Sequence, residues 1–226
     1  LALTEYEYDP SLRCAVMFAH GEHFTAGLDL VELQPKLTAG VFDFPTTQIN
    51  PWGTSSRPRT KPVVVAVQGF CFTAGIELML NADVVIADAN TQFAQMEVQR
   101  GILPFGGATV RFVQAAGWNK AMRYLLTGDS FNAQVALDLN LITEVVEAST
   151  PNAALERALS LAESIAQAAP LAVQATLASA QQAVQHGADY AFAHLQEHLS
   201  PLLKTQDVQE GVMAMLQRRP AQFKGQ

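Results

Sequence analysis

The sequence predicts an α/β fold in which parallel strands alternate with helices, followed by a purely helical C-terminal region. Three observations carry that reading. Pro62-Val63-Val64-Val65-Ala66-Val67 is β-branched and apolar on both faces, as a parallel strand covered on both sides has to be. Strand-like runs alternate with small-residue loops and helical windows as far as Gly117, the pattern of parallel α/β pairing. Beyond Gly117, windows rich in alanine, the best helix former, follow one another.

In chain order, a helix-like opening precedes Arg13-Cys14-Ala15-Val16-Met17-Phe18-Ala19, a short apolar run that reads as a buried strand. A glycine loop leads into residues 28–33, where helical spacing resumes with Asp29 and Glu32 near the start, the end at which the helix dipole favours acids. Residues 35–62 scatter Pro, Gly, Ser and Thr without sustained periodicity and read as a long surface loop or lid with room for one short helix. After Val67, residues 69–74 read as a small-residue loop and 75–80 as a core helix. Val84-Val85-Ile86-Ala87 is the next strand, and residues 91–97 run on into the turn Gly101-Ile102-Leu103-Pro104. Helices are expected at 119–126, 133–139, 153–168, 171–186, 188–203 and 208–216, with a last strand at 141–146.

At about 150 residues per domain, 226 residues allow one large domain or one domain with a small appendage. Hydrophobic residues make up 49% and charged residues 15%, which excludes a disordered chain and fits a protein that hides surface in an oligomer. A net charge of −7 supplies no field that attracts a phosphate backbone, so neither nucleic acid nor a membrane surface is an expected partner. No apolar stretch reaches the roughly 18 residues of a membrane span, and the expected location is cytoplasmic. The first residue is Leu rather than Met, so further N-terminal residues are expected before it. Cys14 and Cys71 each lie in an apolar run and read as small hydrophobes. His194 and His198 stand four apart on a helix with no third ligand in view, His20 and His23 read as loop hydrogen-bonding residues, and Gly106-Gly107 lacks the lysine of a phosphate loop.

Two loop-to-helix junctions repeat one pattern: Phe24-Thr25-Ala26-Gly27-Leu28-Asp29 and Phe72-Thr73-Ala74-Gly75-Ile76-Glu77. Small residues at such a turn let backbone N–H groups face a cleft, the way an oxyanion is held, although many α/β units use the same turn with no catalytic role. Glu77 sits among Ile76, Leu78, Met79 and Leu80, and Glu97 follows Phe93-Ala94-Gln95-Met96. Burial raises a carboxyl's pKa, so such an acid either pairs, here with Arg100 or Arg111, or has a task. Two such acids beside one anion site can share a water.

Taken in order, Gly21-Glu22-His23-Phe24-Thr25-Ala26-Gly27-Leu28-Asp29-Leu30, the strand from Lys61 to Gly69, Ala74-Gly75-Ile76-Glu77-Leu78, Ala82-Asp83, Gln95-Met96-Glu97, Gly101-Ile102-Leu103-Pro104, Gly106-Gly107, Leu126-Thr127-Gly128 and the closing Arg219-Pro220-Ala221-Gln222-Phe223-Lys224 resemble the crotonase superfamily, above all its enoyl-CoA hydratases. The resemblance implies a spiral of ββα turns over residues 1–147 and a helical trimerisation subdomain over 148–226, in a homotrimer or a dimer of trimers. It implies an acyl-CoA thioester as substrate, with no metal and no cofactor beyond the coenzyme A of the substrate itself. The matching catalytic positions are the N–H groups of Leu28 and Ala74, which would take the thioester oxygen, and Glu77 and Glu97, which would hold the water. Substrate contacts fall on Ala26, Leu28, Asp29, Leu30, Gly69, Phe70, Thr73, Ala74, Leu103 and Pro104, and Arg57, Arg59, Lys61 and Lys224 are candidates for the coenzyme A phosphates. Many relatives have glycine at Thr73 and Ala74 and a small residue at Phe105, which would reshape the acyl pocket here. The strand-rich segment that opens such proteins is not seen before Leu1. An isomerase or another thioester lyase of the superfamily shares the anion hole, and an acyl-CoA-binding subunit without activity is the alternative from another class.

Overall fold

A computed structural model describes residues 1–39, 44–54 and 57–226. Along the chain run α1 (Ala2–Tyr8), β1 (Ala15–Met17), α2 (Leu30–Thr38), β2 (Val63–Val67), β3 (Phe70–Phe72), α3 (Ala74–Met79), β4 (Val84–Asp88), β5 (Gln92–Ala94), a 3-10 turn (Glu97–Arg100), α4 (Ala108–Ala116), α5 (Trp118–Leu125), β6 (Ser130–Asn132), α6 (Ala133–Asp138), β7 (Glu144–Val146), α7 (Ala153–Gln167), α8 (Pro170–His186), α9 (Ala188–Leu202) and α10 (Gln206–Gln217).

The β-branched run of β2 is buried along its whole length because both faces of its sheet are covered. Val63, Val65 and Val67 pack with Ile76, Met79 and Phe112, while Val64 and Ala66 join Ile86 against Ala154, Ala158 and Ala162 of α7. Alanines at that spacing let α7 approach the sheet closely, and each buried valine contributes about 1.5–3 kcal/mol. The sheet is parallel, in the order β1-β2-β4-β7. β3, β5 and β6 form a second sheet, with β3 parallel and β6 antiparallel to β5.

Gly69 turns the chain from the first sheet into the second. Its φ is +56°, and a Cβ there would stand 2.1 Å from the carbonyl oxygen of Glu22 and 2.3 Å from Nδ1 of His23, so conformation and space both require glycine. This corrects the reading of 69–74 as loop, since Phe70–Phe72 is a strand. β5, β6 and α4 are likewise additions to the elements the sequence pattern predicts, and α2 continues through Pro35 to Thr38 where loop is expected. Of that loop, residues 40–43 and 55–56 lie outside the described residues.

Arg59 and Lys61, candidates for phosphate contacts, are spent inside the fold. Arg59, 9% exposed, grips both carboxylate oxygens of Asp83 at 2.7 and 2.8 Å. Lys61, 6% exposed, donates to the carbonyls of Tyr6 and Asp9 at 2.9 and 2.6 Å and so ties α1 to the start of β2. No helix among the described residues is long and apolar enough to cross a membrane.

Candidate active site

The two Phe-Thr-Ala-Gly junctions lie against each other. Thr25 forms a parallel bridge to Cys71, its N–H donating to Phe70 at 2.9 Å and its carbonyl accepting from Phe72 at 3.0 Å. A Cβ added to Gly27 would meet Oγ1 of Thr73 at 2.1 Å, and one on Gly75 would meet Cγ2 of Thr25 at 2.5 Å. Thr73 adopts φ 50°, ψ −113°, a conformation costing about 1–3 kcal/mol in a β-branched residue, and its N–H donates to Ala94 at 2.8 Å. That bond draws the end of β5, and with it Gln95, Met96 and Glu97, to the head of α3. Ala74 opens α3, so its N–H has no acceptor within the helix. Among the described residues neither the Ala74 N–H nor the Leu28 N–H donates to another protein group.

The two acids are both buried and are held differently. Glu77, 2% exposed, accepts the N–H groups of Gly106 at 2.7 Å and Ala108 at 3.1 Å through Oε1. Burial raises its pKa, while the N–H groups of Ala108, Gly106 and Gly107 and the Arg111 guanidinium pull the other way. Glu97, 7% exposed, accepts the Gln95 side-chain amide at 2.9 Å on Oε1. Its Oε2 and the Oε1 of Gln95 are buried with no hydrogen-bond partner among the described residues. Burial, reinforced by the charge of Glu77, pushes the Glu97 carboxyl up to about 7. A proton on Glu97 converts an orphaned acceptor into a donor, whereas the N–H donors around Glu77 suit its anion.

Among the described residues the alternative of an ion pair does not occur. Arg111 spends its guanidinium on the carbonyls of Trp52 at 2.8 Å and Gly53 at 3.1 Å, and among the described residues neither Glu77 nor Glu97 forms a salt bridge.

The other expected contacts divide. Asp29 caps α2, its Oδ1 accepting the N–H groups of Val31 and Glu32 at 3.0 and 3.1 Å, so its carboxylate is occupied locally. Leu30 begins α2, and Ala26 is exposed on the first junction. Phe70 stacks between His23 and Phe72, and its N–H is taken by His23 Nδ1 at 3.2 Å. Leu103 is exposed and Pro104 buried beside it. His194 and His198 bond to Tyr190 and Gln182, and no group of three or more possible metal ligands occurs among the described residues. Cys71 is wholly buried, and burial pushes its thiol up. Sequence reasoning missed Trp52, Gln95 and Gly106 as parts of the site. Gln95, within Gln95-Met96-Glu97, and Gly106, within Gly106-Gly107, left a signal there as parts of the motifs that carry the resemblance, and Trp52 left none.

The chain matches known proteins over its whole length. The family model described as enoyl-CoA hydratase/isomerase matches residues 1–226. A 2,3-dehydroadipyl-CoA hydratase of Escherichia coli is 33% identical over 217 residues, 96% of this chain and 83% of that protein. An (E)-benzylidenesuccinyl-CoA hydratase of Thauera aromatica is 35% identical over 224 residues, with the same 96% and 83% coverage. The crystal structure of a probable enoyl-CoA hydratase/isomerase from Mycobacterium abscessus superposes with a TM-score of 0.95 at 45% identity, covering 100% of this chain and 86% of that one.

Proposed function

Because the chain belongs to the enoyl-CoA hydratase/isomerase family, the crotonase superfamily, we propose that it adds water reversibly across the double bond of a 2-enoyl-CoA thioester. The observations that support this most are the unlike pair of buried carboxyls, one surrounded by N–H donors and one with an orphaned oxygen, and the backbone N–H groups of Leu28 and Ala74, which donate to no other protein group among the described residues. The thioester oxygen accepts from Leu28 and Ala74 and gathers negative charge as the water oxygen bonds to the β-carbon. Preaimed donors stabilise that charge without reorganising, and losing one typically costs about 10²–10³ in rate. Glu77 takes the proton from the water. Glu97 gives its proton to the α-carbon, and the roles reverse for dehydration. The two glutamates carry both proton transfers, so the reaction calls for no cofactor beyond the coenzyme A of the substrate.

An isomerase needs one acid to carry a proton between carbons, and the second buried carboxyl favours hydration. Assaying short, long, branched and aromatic enoyl-CoA esters tests the assignment. A 3-hydroxyacyl-CoA product is expected. A shifted double bond would make the protein an isomerase, and tight thioester binding without turnover would make it a silent binding subunit.

The pH dependence follows from the pair. The working form holds one proton, on Glu97 for hydration and on Glu77 for dehydration. Because Glu97 titrates at about 7, kcat/KM falls tenfold per pH unit above that point. Adding water consumes no net proton, so hydration and dehydration share this alkaline limb. A flat profile between pH 6 and 9 would contradict the pairing.

The helices after residue 148 carry the proposed assembly. α8 buries no residue within this chain, and Phe192 on α9 is 74% exposed. Large exposed apolar side chains of this kind call for a covering surface. A homotrimer or dimer of trimers supplies one, and a solution mass near three or six times 24.4 kDa is the expected result. A cytoplasmic location belongs to the same proposal, as do Arg57 and Lys224, both exposed, as the remaining cations for the coenzyme A phosphates.

A further inference from the structure

The segment from Asn50 to Thr54 is fastened at nearly every residue. The Asn50 side chain accepts the Trp52 N–H at 2.9 Å and donates to Oγ1 of Thr54 at 2.9 Å, and the Asn50 carbonyl accepts from Gly53 at 2.9 Å. Asn81 donates to the carbonyl of Pro51 at 2.9 Å, while Arg111 holds those of Trp52 and Gly53. Connecting segments are as a rule more mobile than the elements they join, and these bonds hold this one still. What the anchors hold still is one indole. Its Nε1–H donates to the carbonyl of Ala74 at 3.1 Å, on the residue whose own N–H is the proposed oxyanion donor. The same ring borders the acid. A Cβ built on Gly106 would lie 2.7 Å from Cδ1 of Trp52 and 2.5 Å from Oε2 of Glu77, so ring and carboxylate crowd the same side of Gly106.

We propose that Trp52 is a positioning residue for this site, its indole N–H fixing the first residue of α3 so that the Ala74 donor meets the thioester oxygen, and its ring shielding the Glu77 carboxylate from bulk water. Two independent contacts support this: the bond to the Ala74 carbonyl, and the packing over Gly106 beside Glu77. α3 is six residues long and Thr73 gives it no side-chain cap, so an outside anchor at its first residue has something to hold. Thr73 is strained as well, and a strained turn keeps its geometry only when its surroundings over-determine it.

The kinetic consequence rests on the hydratase reading, and the geometric one does not. Trp52→Phe keeps an aromatic ring at this position, smaller than the indole, and removes the N–H. Because the anchored donor strengthens its bond only as charge develops, kcat for crotonyl-CoA hydration is expected to fall roughly tenfold with KM within about twofold. Thermal unfolding of this variant verifies that it is folded. The second measurement is the ultraviolet band of bound cinnamoyl-CoA, whose red shift reports how strongly the N–H donors polarise the thioester carbonyl. A smaller shift in Trp52→Phe than in the unmodified protein is expected. If the unmodified protein polarises the thioester without hydrating any ester, and Trp52→Phe loses that polarisation, the positioning role stands and the hydratase reading falls. A folded Trp52→Phe protein with unchanged kcat and unchanged band shift would overturn the positioning role.

Discussion

Glu97→Gln is expected to lower hydration of a 2-enoyl-CoA by about 10²–10⁴-fold and to make the protein more stable at the same time. The loss follows because an amide has no proton to give the α-carbon. The gain follows from linkage. Glu97 titrates at about 7 in the folded protein against 4.5 for an ordinary glutamate, so between those values the folded state binds more protons than the unfolded one. Stability therefore falls as pH rises through this window and stays lower above it, by on the order of 3 kcal/mol for a shift of this size. The substituted glutamine has no charge to desolvate, and its amide is a donor for the orphaned Oε1 of Gln95. The stabilisation should be present at pH 8 and gone near pH 4. Denaturant unfolding at both pH values measures it. A variant that loses activity and also stability at pH 8 would mean that Glu97 serves the fold rather than the reaction.

Gly106→Ala should cost about 10²-fold in kcat with the fold retained. Gly106 has no left-handed backbone, so strain does not enter, and the effect is steric. The added Cβ would stand 2.5 Å from Oε2 and 2.8 Å from the carboxyl carbon of Glu77, and neither can give way easily. Oε1 is pinned by two backbone N–H groups, and Trp52 closes the other side. Displacing a proton-accepting carboxylate by several tenths of an ångström is the expected injury. Gly211→Ala is the matched control: its Cβ would find only the Phe223 ring at 3.6 Å, and alanine suits the helix better by about 1 kcal/mol. Wild-type turnover in a folded Gly106→Ala protein would remove Glu77 from the proposed chemistry.

How far the sequence leads depends on range. β2 is legible because five consecutive apolar residues announce a strand covered on both faces, and Glu77 stands out as an acid among aliphatic neighbours. The repeated Phe-Thr-Ala-Gly junction is legible as a pair, and the bridge between Thr25 and Cys71 is why the repeat matters. β3, β5 and β6 have three residues each, too few for any period to appear, and pairing between them is what makes them strands. α4 has Gly107 at its N-cap and no capping side chain, so the usual start signal is missing. Arg59 and Lys61 look like anion binders because their burial is decided by Asp83, Tyr6 and Asp9, which are remote in sequence. Trp52 is silent for the same reason: its segment's anchors, Ala74, Asn81 and Arg111, are 22 to 59 residues away. Solvation, which separates Glu97 from Glu77, is not readable at all, since it depends on which N–H groups the fold delivers to each carboxylate.

The central claim is that two backbone donors and two carboxyls meet around one reacting thioester. A crystal structure with bound 3-hydroxybutyryl-CoA tests it most directly. The thioester oxygen is expected at about 2.7–3.1 Å from the nitrogens of both Leu28 and Ala74, with the 3-hydroxyl between Glu77 and Glu97. A thioester oxygen bound away from those two nitrogens, or a hydroxyl touching neither glutamate, would contradict it.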